Sequence, residues 1–307
     1  MPVIGRFAPS PSGRMHLGNV LCALLAWLSA RQQNGEYLLR IEDLDAMRCP
    51  RSYAELIMDD LRWLGLDWDG EVLYQSDRSV IYAKYEQILR EKGLLYPCFC
   101  SRAALHAASA PHLSDGRVVY AGTCRGLTTA QIEEKRRTRA PAVRVRVPGE
   151  KVAFTDRVFG AYCEDLTEMC GDFIIRRSDG VFAYQLAVVV DDALSGVNEV
   201  VRGVDLLSST PRQIWLYRQF GFTPPDFCHI PLLCDHDGRR LSKRDADLDL
   251  GRLRQHFCPE QVGGALAYAA GLTDRPEPVA AQELIADFSW KRIPQEELHL
   301  PQVLQIK

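Results

Sequence analysis

Short apolar runs alternate with longer amphipathic stretches over the first ninety-odd residues of the chain. Val3 and Ile4 end a first short strand. Val20 to Arg31 is apolar on most faces and reads as a helix closed by Gly35. Tyr37 to Ile41 is a second strand. Ser52 with Glu55 predicts a capping box for a helix reaching Leu64. Gly65, Asp67, Asp69 and Gly70 then mark a loop, and Ser79 to Lys92 forms a helix stopped by Gly93. Residues 1–95 therefore read as the first half of an α/β fold.

The alternation breaks over residues 96–170, which have the pattern of an insertion. Within it, Ala142 to Val147 alternates apolar and basic residues as a half-exposed strand. Asp172 to Arg176, a Ser178-Asp179-Gly180 turn and Val181 to Val190 predict a hairpin feeding a fully apolar strand. That strand ends in Asp191-Asp192, where open α/β sheets place ligand groups. Thr210-Pro211 with Gln213 caps a helix ending at Gly221, and Ile230 to Leu233 is a last short strand. Residues 171–245 thus form a second half-fold. Residues 246–307 hold helices near 259–270 and 281–287, split by a Pro-rich link at 276–278.

Composition narrows the class. The 307 residues are 47% hydrophobic and 25% charged, values of a soluble globular protein. No apolar run reaches membrane-spanning length, and the opening Met1-Pro2-Val3-Ile4 leaves no room for a signal peptide, so a cytoplasmic location is expected. Ten cysteines without a secretory signal suggest reduced thiols. A net charge of −3 excludes a generally basic protein, so a nucleic-acid partner must meet local patches. The candidates are Lys135-Arg136-Arg137-Arg139, Arg144 with Arg146, and Arg252 with Arg254. Neither a Walker-type phosphate loop nor a dinucleotide Gly-x-Gly-x-x-Gly is present.

The chemistry concentrates between Arg6 and Asn19, a loop stiffened by Pro9 and Pro11 and loosened by Gly13 and Gly18. It brings His16 to a helix mouth, where free N–H groups favour anions. Arg6-Phe7-Ala8-Pro9-Ser10-Pro11-Ser12-Gly13 with His16-Leu17-Gly18-Asn19 resembles the ATP-binding signature of class I aminoacyl-tRNA synthetases of the glutamyl group. Arg40-Ile41-Glu42-Asp43-Leu44-Asp45 matches the segment this group carries next. Arg240-Leu241-Ser242-Lys243-Arg244 is similar to the second class signature, although Arg240 and Arg244 replace its outer residues. Asn19 likewise stands where a second histidine is common.

The resemblance implies a Rossmann-like catalytic domain with an inserted zinc-binding, acceptor-type subdomain and a short helical C-terminal region. It implies catalysis by His16 and Lys243, ATP contacts from His16, Gly18, Asn19, Ser242 and Lys243, and Mg2+ carried with the ATP. Arg6, Ala8 and Ser10 would line a glutamate pocket, Glu42 would take the α-ammonium, and Tyr184 and Arg202 would close it. The planar guanidinium suits a carboxylate, which it binds through two parallel bonds.

Cys98-Phe99-Cys100 and Tyr120 to Cys124 suit a closed tetrahedral zinc site, with His106 or His112 the chemically preferred fourth ligand. By resemblance the fourth ligand is Tyr120. Cys49, Cys163, Cys170, Cys228, Cys234 and Cys258 read as core residues or idle thiols. About sixty residues follow the lysine loop, without a long anticodon-reaching helical domain. The chain is therefore similar to the truncated, monomeric glutamyl-type enzymes, which activate glutamate without tRNA and attach it to queuosine in the anticodon loop of tRNA(Asp). Two other readings remain open: a short enzyme charging a tRNA 3′ end, and an idle tRNA-binding paralogue.

Overall fold

A computed structural model describes residues 2–101, 119–235 and 249–304. The chain opens with β1 (Ile4–Phe7), α1 (Leu17–Gln32), β2 (Glu36–Ile41), α2 (Arg51–Trp63), β3 (Leu73–Tyr74) and α3 (Ser79–Glu91). Strands β1, β2 and β3 pair in parallel in that order. The first strand continues two residues into the motif loop, which puts Arg6 on the sheet.

Helix α1 is buried over nearly its whole length, from Leu17 through Ala30. Its return to β2 requires Gly35, because a Cβ there would stand 2.1 Å from the Val3 carbonyl oxygen. The expected capping box at Ser52 does not form. Pro50 is the N-cap of α2 and supplies no side-chain bond; its fixed φ sets the turn instead.

Next come β4 (Leu95–Cys98), the exposed helix α4 (Thr129–Thr138), β5 (Ala142–Val145), β6 (Lys151–Asp156), β7 (Gly160–Asp165) and β8 (Phe173–Arg176). Strands β4, β5 and β8 make a small antiparallel sheet. The remainder comprises α5 (Tyr184–Leu194), β9 (Glu199–Gly203), α6 (Thr210–Phe220), β10 (Asp226–Ile230), β11 (Leu233–Cys234), α7 (Pro259–Ala269) and β12 (Leu298–His299). A four-stranded sheet runs β7-β6-β10-β9. Strand β9 lies against β1, where Asn198 N donates to Ile4 O at 3.0 Å and Arg6 Nη1 donates to Val201 O at 3.1 Å. The two sheets thus meet at β1, and β6 and β7, from the stretch read as an insertion, join the second sheet through β10.

Three further sequence expectations fail. Val181 to Val190 is no strand, since α5 occupies residues 184–194 and buries Leu186 through Asp192. The predicted helix at 281–287 is one short 3-10 turn, Ala281–Leu284. The Thr210–Gln213 cap is also absent; Ser209 is the N-cap of α6, with no side-chain bond. Gln213 instead turns inward, accepting from Arg202 and donating to Gln185. Among the described residues no helix is long and apolar enough to cross a membrane.

Candidate active site

The β1–α1 loop floors a cavity of about 540 Å³ between the two half-folds. Arg6, Ala8 and Ser10 line it from the loop, and Glu42, Tyr184 and Arg202 from the β2 end, α5 and β9. His16, Gly18 and Asn19 line it as well. These predicted pocket residues, scattered over two hundred positions, therefore face one space. Ser242 and Lys243 lie outside the described residues. The residues flanking that stretch reach the cavity region: Leu233 lines it, and Asp249 pairs in a β-bridge with His16.

His16 is the N-cap of α1, its Nδ1 accepting from Gly18 N at 3.2 Å. A Cβ on Gly18 would come within 3.1 Å of that ring, so this glycine makes room for the histidine as well as for a ligand. The α1 dipole adds a partial positive charge at the same point.

Asp192 organises the cations around Arg6 and Glu42. It accepts from Arg6 Nε at 3.1 Å and pairs with Arg40 Nη1; Arg40 Nη2 reaches Glu42 at 3.3 Å. Burial alone would raise the Asp192 carboxyl, but Arg40 and Arg6 hold it below the usual range. Glu42 is shifted up, because burial outweighs the pull of Arg40 and Arg6. Asp191 accepts from Arg78 at 2.6 Å, Tyr82 at 2.7 Å and Gln75 at 2.8 Å. Both aspartates are buried. They are not the strand-end ligand groups expected from sequence; they anchor α5 and orient the arginines. Arg40 is a supporting residue to which sequence reasoning gave no role, and Asp192 one whose role it misread. The signal was available: paired acids in an apolar run must find buried cations.

A second constellation sits at the end of β4. The sulfurs of Cys98, Cys100 and Cys124 lie within 4.8 Å of one another. The Tyr120 hydroxyl is 3.6 Å from Cys98 Sγ and 3.8 Å from Cys100 Sγ, and accepts from Cys124 N at 2.8 Å. Arg144 Nε donates to Cys98 Sγ at 3.2 Å, and its guanidinium carbon lies 3.8 Å from the centre of the Tyr120 ring. Arg144 is buried, not half-exposed as the alternation suggested, and is thereby removed from the candidate phosphate contacts. Burial would lift the Cys98 thiol, but the Cys100 N–H and Arg144 hold it below its ordinary value. Three sulfurs and an oxygen converging this closely fit a tetrahedral cation. His106 and His112 lie outside the described residues.

Of the other basic patches, Arg254 is engaged with Asp59 at 2.5 Å and Asp60 at 2.8 Å. Helix α4 has no buried residue and carries Lys135, Arg136 and Arg137 in its last turn. Cys49, Cys170, Cys228 and Cys234 are buried and Cys163 and Cys258 exposed. Cys22, which carries no motif, lines the cavity, and burial pushes its thiol up to about 12.

Residues 2–288 match the catalytic-domain model of class I tRNA synthetases (E and Q). The glutamyl-Q tRNA(Asp) synthetase of Symbiobacterium thermophilum is 50% identical, over 97% of this chain and 95% of its own. The enzyme of that name from Nitratidesulfovibrio vulgaris is 46% identical over the same shares. Among solved structures, a glutamate tRNA ligase from Elizabethkingia meningosepticum, crystallised with its amino acid, superposes with a TM-score of 0.84 at 26% identity. That match covers 99% of this chain and 68% of the ligase. The chain belongs to the class I tRNA synthetases of the glutamyl and glutaminyl type, on the branch of the glutamyl-Q tRNA(Asp) synthetases.

Proposed function

We propose that the protein activates L-glutamate with ATP, without tRNA, and transfers the glutamate to queuosine in the anticodon loop of tRNA(Asp). The observation carrying this reading is one cavity lined both by buried guanidiniums with Glu42 and by the His16 helix mouth. A diacid with one ammonium fits the guanidiniums and Glu42. Arg6 and Arg202 receive carboxylates, Glu42 takes the α-ammonium, Tyr184 closes the wall, and Ala8 and Ser10 leave room along the loop.

Activation needs no covalent enzyme intermediate. A carboxylate oxygen of glutamate attacks the α-phosphorus of ATP and pyrophosphate leaves, so the protein's task is alignment and charge stabilisation. His16 and the N–H groups of α1, near Gly18 and Asn19, receive the phosphates, joined by Ser242 and Lys243. Mg2+ bound with ATP would shield the outer phosphates. In the transfer step a queuosine hydroxyl attacks the glutamyl carbonyl, forming an ester and releasing AMP. A second cavity, of about 450 Å³, shares Ser10, Glu42 and Tyr184 with the first, which gives an acceptor nucleoside a place beside the adenylate. The relatives' names favour this acceptor over a 3′ end. As an enzyme of tRNA the protein would work in the cytoplasm.

Cys98, Cys100, Cys124 and Tyr120 would hold a structural Zn2+, tying the turn at 120–124 to β4. Purified protein is expected to carry about one zinc per chain, lost in a Cys98→Ser/Cys100→Ser variant. Metal analysis finding none in protein prepared without chelator would leave these as packing thiols.

The experiment that tests the activation reading is pyrophosphate exchange into ATP. Glutamate is expected to support it without tRNA and glutamine to be poorer by about two to three powers of ten, since a neutral amide leaves a buried guanidinium unpaired. Equal exchange with both amino acids, or none with glutamate, would reject the pocket assignment.

A further inference from the structure

Arg202 is held in an unusual way for a buried guanidinium. Its exposure is 5%, yet among the described residues it forms no ion pair. Nε donates to His229 Nε2 at 3.0 Å, Nη2 to Thr210 Oγ1 at 2.7 Å, and Nη1 to Gln213 Oε1 at 2.7 Å and to the Tyr184 hydroxyl at 3.5 Å. A buried cation with neutral partners is ready for an anion that arrives from outside. Its direction is set from behind. His229 stands opposite Arg202 in the β9–β10 register and is fully buried. Its Nδ1 lies 2.6 Å from Asp156 Oδ2. Asp156 also accepts from the backbone N–H groups of Val158 at 3.0 Å, Phe159 at 2.9 Å and His229 at 3.0 Å, so the carboxylate cannot swing away.

The proton positions follow. A carboxylate bound by three N–H donors only accepts, so Nδ1 carries the hydrogen, and in a neutral ring Nε2 then offers the lone pair that Arg202 requires. A doubly protonated ring would set Nε2–H against Nε–H. Burial, with the neighbouring Arg202 charge, pushes the His229 pKa down to about 4 against the upward pull of Asp156, which keeps the ring neutral near pH 7.

We propose that Asp156 and His229 are positioning residues for amino-acid selection: through one fixed tautomer they aim the Arg202 guanidinium at a carboxylate of glutamate. The inference rests on the reading that Arg202 is a glutamate contact. It adds two residues, on β6 and β10, that do not touch the ligand, and it makes selectivity depend on a strand-to-strand relay.

The test compares variants that keep one end of the relay. His229→Gln can return an acceptor to Arg202 Nε, whereas His229→Asn can serve Asp156 but falls short of Arg202. Asp156→Asn can donate to Nδ1 and so favours the opposite tautomer, with Nε2–H facing Arg202. In the exchange assay, His229→Asn and Asp156→Asn are expected to raise KM for glutamate by about ten- to a hundredfold, the scale of one unsatisfied buried donor. The kcat and the KM for ATP should stay within about threefold, and His229→Gln should stay near the unchanged protein. A folded His229→Asn or Asp156→Asn protein with unaltered KM for glutamate overturns the proposal, as does equal loss for both substrates or a His229→Gln protein as impaired as His229→Asn.

A second measurement needs no variant to fold. Histidine ¹⁵N spectra of the unchanged protein at pH 7 must show a His229 ring protonated at Nδ1 alone; protonation at Nε2 overturns the relay. Exchange by the unchanged protein is a separate control, because its absence would strike the pocket assignment and leave the tautomer result to decide the relay.

Discussion

Glutamate-dependent exchange is expected to fall by about two to three powers of ten in Arg202→Met. Breaking a buried charge pair from one side costs about 3–5 kcal/mol, because the remaining charge stays desolvated. Here that charge is a carboxylate of the incoming amino acid. The loss should appear in kcat/KM, and saturating ATP should not restore it. Met fills similar volume, so the fold should survive, although His229, Thr210 and Gln213 lose a donor and some stability with it. The specificity consequence is sharper than the rate. Once the guanidinium is gone, glutamine no longer leaves a cation unpaired, and the preference for glutamate should shrink with it. Arg202→Lys should not rescue, because a point charge cannot satisfy His229, Thr210 and a ligand carboxylate together. Steady-state exchange with both amino acids checks this, and unchanged kcat/KM for glutamate in Arg202→Met would remove Arg202 from the pocket.

The predicted pocket residues of the β1–α1 loop lie together because they belong to one signature between a strand end and a helix mouth, fixed by the nearby chain, whereas Tyr184 and Arg202 reach the same cavity from α5 and β9. Arg6, His16 and Gly18 needed only the β1–α1 turn to come together. What sequence misplaced was decided by distant partners. Val181 to Val190 is a continuous apolar run, and periodicity cannot separate a buried strand from a buried helix. Packing decided for α5, and Asp191 and Asp192 moved from a strand end into the core. Arg144 alternates with valines and so resembles an outward residue, yet its partners, Cys98 and Tyr120, come from outside β5. His229 gave no signal at all: a lone histidine in a short strand is featureless until Asp156 and Arg202 stand on either side of it.

The acceptor is the all-or-none prediction. Once glutamyl-adenylate forms, the product depends on which nucleophile reaches its carbonyl, and activation chemistry alone does not distinguish a modified base from a terminal ribose. Queuosine carries hydroxyls on a base displayed in a loop, where RNA is most readable. Helix α4, with no buried residue and Lys135, Arg136 and Arg137 in its last turn, offers positive charge to the phosphates of such an arm. Binding of this kind weakens steeply with salt.

The direct measurement gives the protein ATP and radiolabelled glutamate with three RNAs: tRNA(Asp) bearing queuosine, the same tRNA without it, and tRNA(Glu). Nuclease fragments of each are then separated and counted. Label is expected only in the anticodon-loop fragment of queuosine-bearing tRNA(Asp). Label on the 3′-terminal adenosine of tRNA(Glu) would contradict queuosine as the acceptor and make the protein a charging enzyme.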